Sequence, residues 1–85
     1  MFFTYILKSK MDGNLYIGYT PDLRERLKKH NLGLVSSTKI RKPFYIVYYE
    51  AYASKNDAIK REQNLKLRAK ALRQLKNRIE ESLKT

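Results

Sequence analysis

Glu62 is the acidic residue whose position is hardest to explain as an ordinary surface charge. On a helical wheel it lies about 40° from Ala58, in the same arc as Leu65 and Ala69. Burial of a carboxylate is costly unless the group is paired or binds a metal ion. An ion pair with Lys66, four residues further on, would explain Glu62 equally well. The spacing leaves both interpretations open, a metal ligand and an ordinary ion pair.

Arg26, Lys29 and His30 are spaced so that they share one helix face, next to the stripe formed by Leu23 and Leu27. A guanidinium in this position could hold a phosphate group with two hydrogen bonds, and a histidine could act as a base or orient the phosphate. A solvated charged face is the commoner outcome, and a histidine near a helix C-terminus often interacts with the helix dipole. The spacing therefore makes Arg26 and His30 candidate catalytic residues and Lys29 a candidate phosphate contact.

Tyr5 and Tyr16 fall on two strands that we expect to pair, so their side chains could converge. A tyrosine hydroxyl can donate a hydrogen bond to water or phosphate, or accept one from water. Its ordinary pKa of about 10 makes it a poor base at neutral pH unless a nearby cation or metal ion lowers that pKa. The alternative is ordinary packing on the sheet with the hydroxyl at the rim. We prefer that alternative for the other tyrosines considered, which are Tyr45, Tyr48, Tyr49 and Tyr52.

The balance of charges favours a polyanionic partner. The chain has 85 residues, with 19 Lys and Arg against 8 Asp and Glu, and its formal net charge is +11. Nucleic acid is the simplest such partner, and an anionic membrane surface is the competing one. A polar loop and a late helix carry many of the cations, and no acid lies between Glu62 and Glu80. We expect nucleic-acid contacts from residues in and around these elements, namely Lys29, Lys39, Arg41, Lys42, Arg61 and Lys66.

The composition also excludes several classes of protein and site. The absence of cysteine excludes disulfides and cysteine-based zinc sites, and the single histidine excludes histidine-rich metal sites. No segment approaches the roughly 20 apolar residues that span a bilayer. The apolar start, residues 1–7, is short and lacks a basic region. We therefore expect no signal peptide and a cytoplasmic location, with association with the nucleoid as an option.

The first half of the chain predicts a hairpin followed by a helix. Residues 2–9 and 14–20 have the aromatic and β-branched residues of strands, and Asp12-Gly13 is a typical tight turn between them. Gly18 leaves space beside Tyr16 for a close approach to the second strand. Thr20 is expected to cap a helix that ends near residue 31.

The second half predicts a polar loop, a strand and a helical region. The loop covers residues 34–42, and residues 44–52 predict a third strand. Ser54 and Asp57 have capping-box spacing. No glycine or proline follows Pro43, so helix could continue from 55 to about 83, and a break near residues 68–71 would leave no signal of this kind. The order ββαβα(α) predicts one α+β domain over residues 1–85, with a three-stranded antiparallel sheet flanked by helices.

Four motifs in this order resemble the GIY-YIG nuclease family. They are Tyr5-Ile6, Tyr16-Ile17-Gly18, the segment from Leu23 to His30 that contains Arg26 and Leu27, and Ala58 with Glu62 four residues later. The resemblance covers residues 2 to about 66, and the chain is most similar to the short, basic, stand-alone branch. The sequence departs from the first motif at Thr4, which stands where the family has glycine.

The resemblance implies a nuclease that hydrolyses DNA phosphodiester bonds with Mg²⁺ or Mn²⁺. It implies that Glu62 holds the metal ion and that Arg26 stabilises charge on the scissile phosphate. It further implies that Tyr16 and Tyr5 position or deprotonate the attacking water, with support from His30. We further expect a substrate of branched or single-stranded DNA and a role in DNA repair. We also expect a protein partner to bind the C-terminal helix (67–85). The alternatives are a non-catalytic nucleic-acid-binding module on the same fold and a basic helix that binds a membrane or a partner.

Overall fold

The computed structural model describes all 85 residues, Met1–Thr85. Three strands and three α-helices form the fold: β1 (Phe2–Ser9), β2 (Leu15–Thr20), α1 (Leu23–Asn31), β3 (Phe44–Tyr52), α2 (Lys55–Leu67) and α3 (Ala69–Arg78). Short 3₁₀ turns cover Lys39–Arg41 and Ser82–Lys84. The structure confirms the predicted α+β class and the three-stranded antiparallel sheet.

β1 is the central strand, and its two faces carry two separate parts of the core. The strand order is β2-β1-β3, and β1 pairs with both neighbours in antiparallel fashion. Tyr5 and Leu7 pack with Phe44 on the side covered by α1. Ile6 points to the opposite side and packs with residues of α2 and α3. Side chains on either face of the sheet are thus held by a helix layer.

The helix α1 begins at a different cap from the one predicted. Asp22 is the N-cap, and its carboxylate accepts a hydrogen bond of 3.1 Å from the backbone N–H of Glu25. The prediction that Thr20 caps this helix is wrong, because Asp22 lies three residues before the N–H that needs a partner. The Thr20 hydroxyl instead accepts from the Asp22 N–H and donates to the Asp22 carbonyl. The cap at Ser54 is confirmed, since its side chain accepts from the Asp57 N–H.

The helical region from 55 to about 83 is not continuous, and its break lies at the start of the range 68–71 in which the sequence left a break open. Arg68 has extended backbone angles (φ −121°, ψ 102°) and separates α2 from α3, although no glycine or proline occurs there. Leu65 and Leu75 are both buried against Ile6. In a straight helix these leucines would lie about 15 Å apart along the axis, so the bend at Arg68 is what lets both reach one strand. α3 covers Ala69–Arg78, a shorter segment than the C-terminal helix predicted for 67–85.

No helix in the structure combines the length and apolar character needed to cross a membrane.

Candidate active site

Three of the predicted site residues meet on the α1 side of the sheet. The Tyr5 hydroxyl lies 2.9 Å from Nε2 of His30, and both side chains are almost completely buried. The Tyr16 ring packs edge-on against the His30 ring, with centroids 5.0 Å apart, and lies 6.4 Å from the Tyr5 ring. β1, β2 and α1 therefore bring Tyr5, Tyr16 and His30 into one cluster, as the sequence predicted for the two tyrosines.

A buried threonine sets the proton arrangement of this cluster. The Nδ1 atom of His30 lies 2.8 Å from Oγ1 of Thr38, and the Thr38 hydroxyl donates to the Val35 carbonyl at 3.4 Å. A threonine hydroxyl has one proton, so Thr38 accepts from His30 Nδ1–H. Nε2 of His30 is then an acceptor, and the Tyr5 hydroxyl donates to it.

His30 is held as a neutral imidazole. Burial, followed by the nearby positive charge of Arg26, lowers the pKa of His30 to about 4. The interpretation of His30 as a surface histidine on the helix dipole is therefore not supported. Its partner Thr38 lies in a polar loop without any distinguishing motif, so it could not be recognised from the sequence.

Arg26 presents an unsatisfied hydrogen-bond donor beside the Tyr5–His30 pair. Its Nε atom is buried and has no hydrogen-bond partner. Arg26 affects the pKa of both neighbours. Burial raises the pKa of Tyr5, and Arg26 opposes this increase through a hydrogen-bonding interaction and its positive charge. The same positive charge helps to lower the pKa of His30. Native proteins rarely leave a buried donor unpaired, and binding of a ligand is one of the explanations for such a group. Arg26 is therefore placed to receive an acceptor oxygen at this position.

Glu62 combines features of the two interpretations left open by its spacing. Its side chain is 18% exposed, and its carboxylate lies 3.0 Å from Nζ of Lys66. Lys66 also lies over the ring of Tyr16, at 5.8 Å from the centroid. The negative charge of Glu62 acts to raise the pKa of Tyr5, so the carboxylate belongs to the same electrostatic environment as the cluster.

The donor set around Glu62 limits the kind of metal ion that it could hold. No group of three or more His, Cys, Asp or Glu side chains is assembled for a metal ion in this structure. Mg²⁺ commonly binds proteins through one or two carboxylates and keeps several water molecules, with substrate phosphates completing the coordination. A single, mostly buried carboxylate in the electrostatic environment of Tyr5 therefore fits a largely hydrated divalent cation and does not fit a closed protein cage. Lys66, which is 43% exposed, would have to release Glu62 when such an ion binds.

Gly18 makes the close packing of Tyr5 sterically feasible. Tyr5 and Gly18 are direct partners in the pairing of β1 with β2. A Cβ atom at position 18 would overlap the Cζ and hydroxyl oxygen of Tyr5. The space that the sequence predicted beside Tyr16 is thus filled by the Tyr5 side chain.

The predicted nucleic-acid contacts separate into paired and exposed groups. Nε of Arg41 lies 2.7 Å from a carboxylate oxygen of Asp12. The hydrogen bond from Arg41 is the main reason why the pKa of Asp12 is lowered to about 2. Arg61 binds Glu50 at 3.0 Å. The side chains of Lys29, Lys39 and Lys42 are exposed, whereas Lys66 is shared with Glu62.

Glu50 is the centre of a second polar cluster, which could not be predicted from the spacing of its residues. Tyr48 and Tyr52 both donate hydrogen bonds to its carboxylate, and Arg61 adds an ion pair. Burial acts to raise the pKa of Glu50, but these three partners outweigh burial and lower it. Burial and the Glu50 charge raise the pKa of Tyr52 to about 12. The cluster ties β3 to α2, which is consistent with the packing role preferred for Tyr48 and Tyr52.

A family model described as the GIY-YIG catalytic domain matches residues 1–78. The chain belongs to the GIY-YIG family. UPF0213 proteins from Staphylococcus aureus strains Mu50 and N315 are each 46% identical to it over 79 residues, which cover 89% of this chain and 95% of theirs. The solution NMR structure of a UPF0213 protein from Bacillus halodurans is similar with a TM-score of 0.54 at 40% identity, covering 88% of this chain and 82% of that one.

Membership of the GIY-YIG family connects the buried cluster with a nuclease domain. The family-model match includes all five candidate catalytic residues, Tyr5, Tyr16, Arg26, His30 and Glu62. A domain of a nuclease family supports an endonuclease-type function with a nucleic acid as substrate. The fold of the Bacillus halodurans relative agrees with the three-stranded sheet and three helices described above.

Proposed function

We propose that this GIY-YIG domain is a divalent-metal-dependent endonuclease that hydrolyses phosphodiester bonds of DNA. The observation that carries the proposal is the buried, unpartnered Nε of Arg26 next to the Tyr5–His30 pair. This donor lacks an acceptor, and a phosphate oxygen would supply one. DNA binding would depend on charge and shape, because exposed lysines contact phosphates without distinguishing the bases.

Arg26 has the chemistry required to stabilise a reacting phosphate. A planar guanidinium donates two parallel hydrogen bonds to phosphate oxygens and stays protonated at all relevant pH values. Its buried Nε is already desolvated, so the interaction with developing negative charge is stronger than it would be in water. We assign Arg26 to electrostatic stabilisation of the phosphate during cleavage.

Tyr5 and His30 together provide a route for a proton. The Tyr5 hydroxyl donates to Nε2 of neutral His30, which leaves the phenolic oxygen available to accept a hydrogen bond from a water molecule. His30 can receive the Tyr5 proton when Tyr5 takes one from that water. Tyr16 packs against His30 and is more exposed than Tyr5, so we assign it to positioning of the water or phosphate.

Glu62 is the residue that would hold the cation. Mg²⁺ or Mn²⁺, when bound, would supply a positive charge to polarise a phosphoryl oxygen. Lys66 neutralises Glu62 in the structure and is released to the solvent or to a phosphate when Glu62 changes partner. Three expectations from the sequence remain predictions. They are a role in DNA repair, a location in the cytoplasm or at the nucleoid, and a protein partner on the C-terminal helix.

The test is a cleavage assay with plasmid, branched and single-stranded DNA in Mg²⁺, Mn²⁺ or EDTA. We expect cleavage with either metal ion and none in EDTA. Arg26→Ala should reduce the cleavage rate by at least about a hundredfold, since it removes a charge-stabilising donor. Arg24→Ala removes an equal charge from the exposed side of α1 and is the matched control. A folded protein that binds DNA but cleaves none of these substrates would contradict the proposal and would favour the non-catalytic module.

A further inference from the structure

A groove of about 460 Å³ lies beside Tyr16, between β2 and the α2–α3 pair. Its apolar lining includes Leu15 and Leu72, and Lys66 and Lys76 supply its charged groups. Its volume falls within the range of roughly 300–1,000 Å³ that is typical of sites for small ligands. We call this feature the β2–α3 groove.

The β2–α3 groove is continuous with the candidate active site. Lys66 lines the groove, binds the Glu62 carboxylate at 3.0 Å and lies over the Tyr16 ring. Tyr16 is itself part of both the groove lining and the cluster with His30. The groove therefore adjoins the candidate active site at Lys66 and Tyr16, along the edge of the sheet formed by β2.

The lining matches the chemistry of a nucleotide. No acidic residue lines the groove, and its two lysines can each contact a phosphate. The leucines and Ile17 offer an apolar surface on which a flat base can pack. The Asn14 side chain at one end carries both a donor and an acceptor for the edge of a base.

A base must leave the duplex stack to enter a groove of this kind. Unstacking is costly for a paired base and much less costly for one that is mismatched or already single-stranded. Building on the proposed function, we propose that the β2–α3 groove binds one unpaired nucleotide next to the phosphate to be cut. The substrate class is then DNA with an unpaired nucleotide at the cleavage site.

The test measures binding separately from cleavage. The probe is a short duplex with one bulged 2-aminopurine nucleotide, and its reference is a fully paired duplex in which 2-aminopurine pairs with thymine. Titrations in EDTA avoid metal-dependent cleavage. We expect the bulged duplex to bind about tenfold more tightly, with a change in 2-aminopurine fluorescence as the base packs on the groove lining.

Two variants and one control localise the effect. Lys76→Ala should weaken binding of the bulged duplex by about three- to tenfold and reduce the salt dependence of binding by about one unit. Lys70→Ala removes the same charge from another face of α3 and should have little effect. Leu72→Gln preserves side-chain size but removes apolar surface. It should lower the ratio of bulged to paired affinity, a ratio that simple loss of folded protein does not change.

Equal affinity for the bulged and paired duplexes would overturn this inference. So would a loss of binding with Lys70→Ala as large as that with Lys76→Ala. Metal-dependent cleavage that is equally fast on both duplexes would refute the groove inference and leave the proposed function intact. Groove-dependent binding without cleavage would instead refute the proposed function.

Discussion

The hydrogen bonds of Tyr5, His30 and Thr38 assign a direction to each proton in the buried cluster. Thr38 donates to Val35, so His30 must donate to Thr38 through Nδ1 and accept from Tyr5 through Nε2. Of these residues, the sequence identified Tyr5 and His30 from their spacing. It could not identify Thr38, because contact between positions 30 and 38 depends on how the loop folds back over α1.

Folding stability should depend on pH through His30. The folded protein holds the pKa of His30 at about 4, below its unfolded value of 6.5, so the unfolded chain binds more protons between these values. The contribution of neutral His30, roughly 2–3 kcal/mol, is therefore fully present above about pH 6.5 and is lost as the pH falls toward 4. Urea unfolding of the wild type and of His30→Gln at pH 7 and pH 4.5 measures this contribution.

The variant His30→Gln is the reference because it has no imidazole to protonate. Its free energy of unfolding should change less between the two pH values than that of the wild type. Equal changes in the two proteins would contradict a depressed pKa. Since His30 is the single histidine in the chain, an NMR titration of its ring protons provides an unambiguous second measurement.

Gly18→Ala should disrupt the site through Tyr5. The added Cβ would overlap the end of the Tyr5 ring, which must then move away from His30. We expect a loss of stability of about 1–3 kcal/mol from overpacking, together with a large loss of cleavage. Unfolding and plasmid-nicking assays measure the two effects. Gly13→Ala meets no atom within 4 Å but strains a backbone with a φ of +71°, so it should lower stability while cleavage by the folded protein is retained. Wild-type cleavage by Gly18→Ala would contradict the assigned position of Tyr5.

At the level of secondary-structure elements, most strands and helices could be predicted from local patterns, but the break at Arg68 could not. The segment from 55 to 83 has good helix-forming residues throughout, so propensity favours one long helix. Tertiary packing overrides this preference, because Leu65 and Leu75 both gain buried contacts with Ile6 only when the chain bends. On the wheel of a straight helix Leu75 would lie about 80° from Leu65, so the two leucines would not face Ile6 together.

Leu75→Ala tests whether packing of α3 on the sheet is responsible for the bend. Leu75 is 1% exposed, so its truncation should lower the free energy of unfolding by about 2–5 kcal/mol. Leu67 is 81% exposed at the C-terminal end of α2, and Leu67→Ala is the control, with an expected effect below about 0.5 kcal/mol. Urea unfolding gives both values. Equal, small effects would show that α3 contributes little to the core.

For the whole molecule, the count of 19 Lys and Arg side chains overstates the number of cations that are free to bind DNA. The Asp12–Arg41 and Glu50–Arg61 pairs engage two of the cations predicted to contact nucleic acid. The sequence could not show these pairs, because the members of each come from different elements. Lys29, Lys39 and Lys42 remain exposed, and Lys39 and Lys42 both lie close to Gly33. Exposed lysines of this kind supply affinity for the DNA backbone that falls with added salt.

The salt dependence of DNA affinity should separate the two kinds of cation. The double variant Lys39→Ala/Lys42→Ala is expected to reduce the slope of log affinity against log salt by about two units, one for each lost phosphate contact. Arg61→Ala should leave the slope nearly unchanged and should instead lower stability by about 1–3 kcal/mol, since it leaves Glu50 without its cation. DNA titrations at several salt concentrations, with urea unfolding, measure both quantities. If Arg61→Ala lowered the slope as much as the double lysine variant does, the prediction that Arg61 is engaged by Glu50 and does not contact phosphate would be wrong.

The central claim, that these residues form a metal-dependent DNA-cleaving site, is tested most directly by plasmid nicking with Glu62→Ala. Glu80→Ala is the matched control, because Glu80 is an exposed carboxylate outside the cluster. We expect Glu62→Ala to lose nicking in Mg²⁺ and Mn²⁺ by at least about a hundredfold while it still binds DNA, and Glu80→Ala to nick like the wild type. Nicking by Glu62→Ala at the wild-type rate would show that Glu62 does not hold a metal ion required for cleavage.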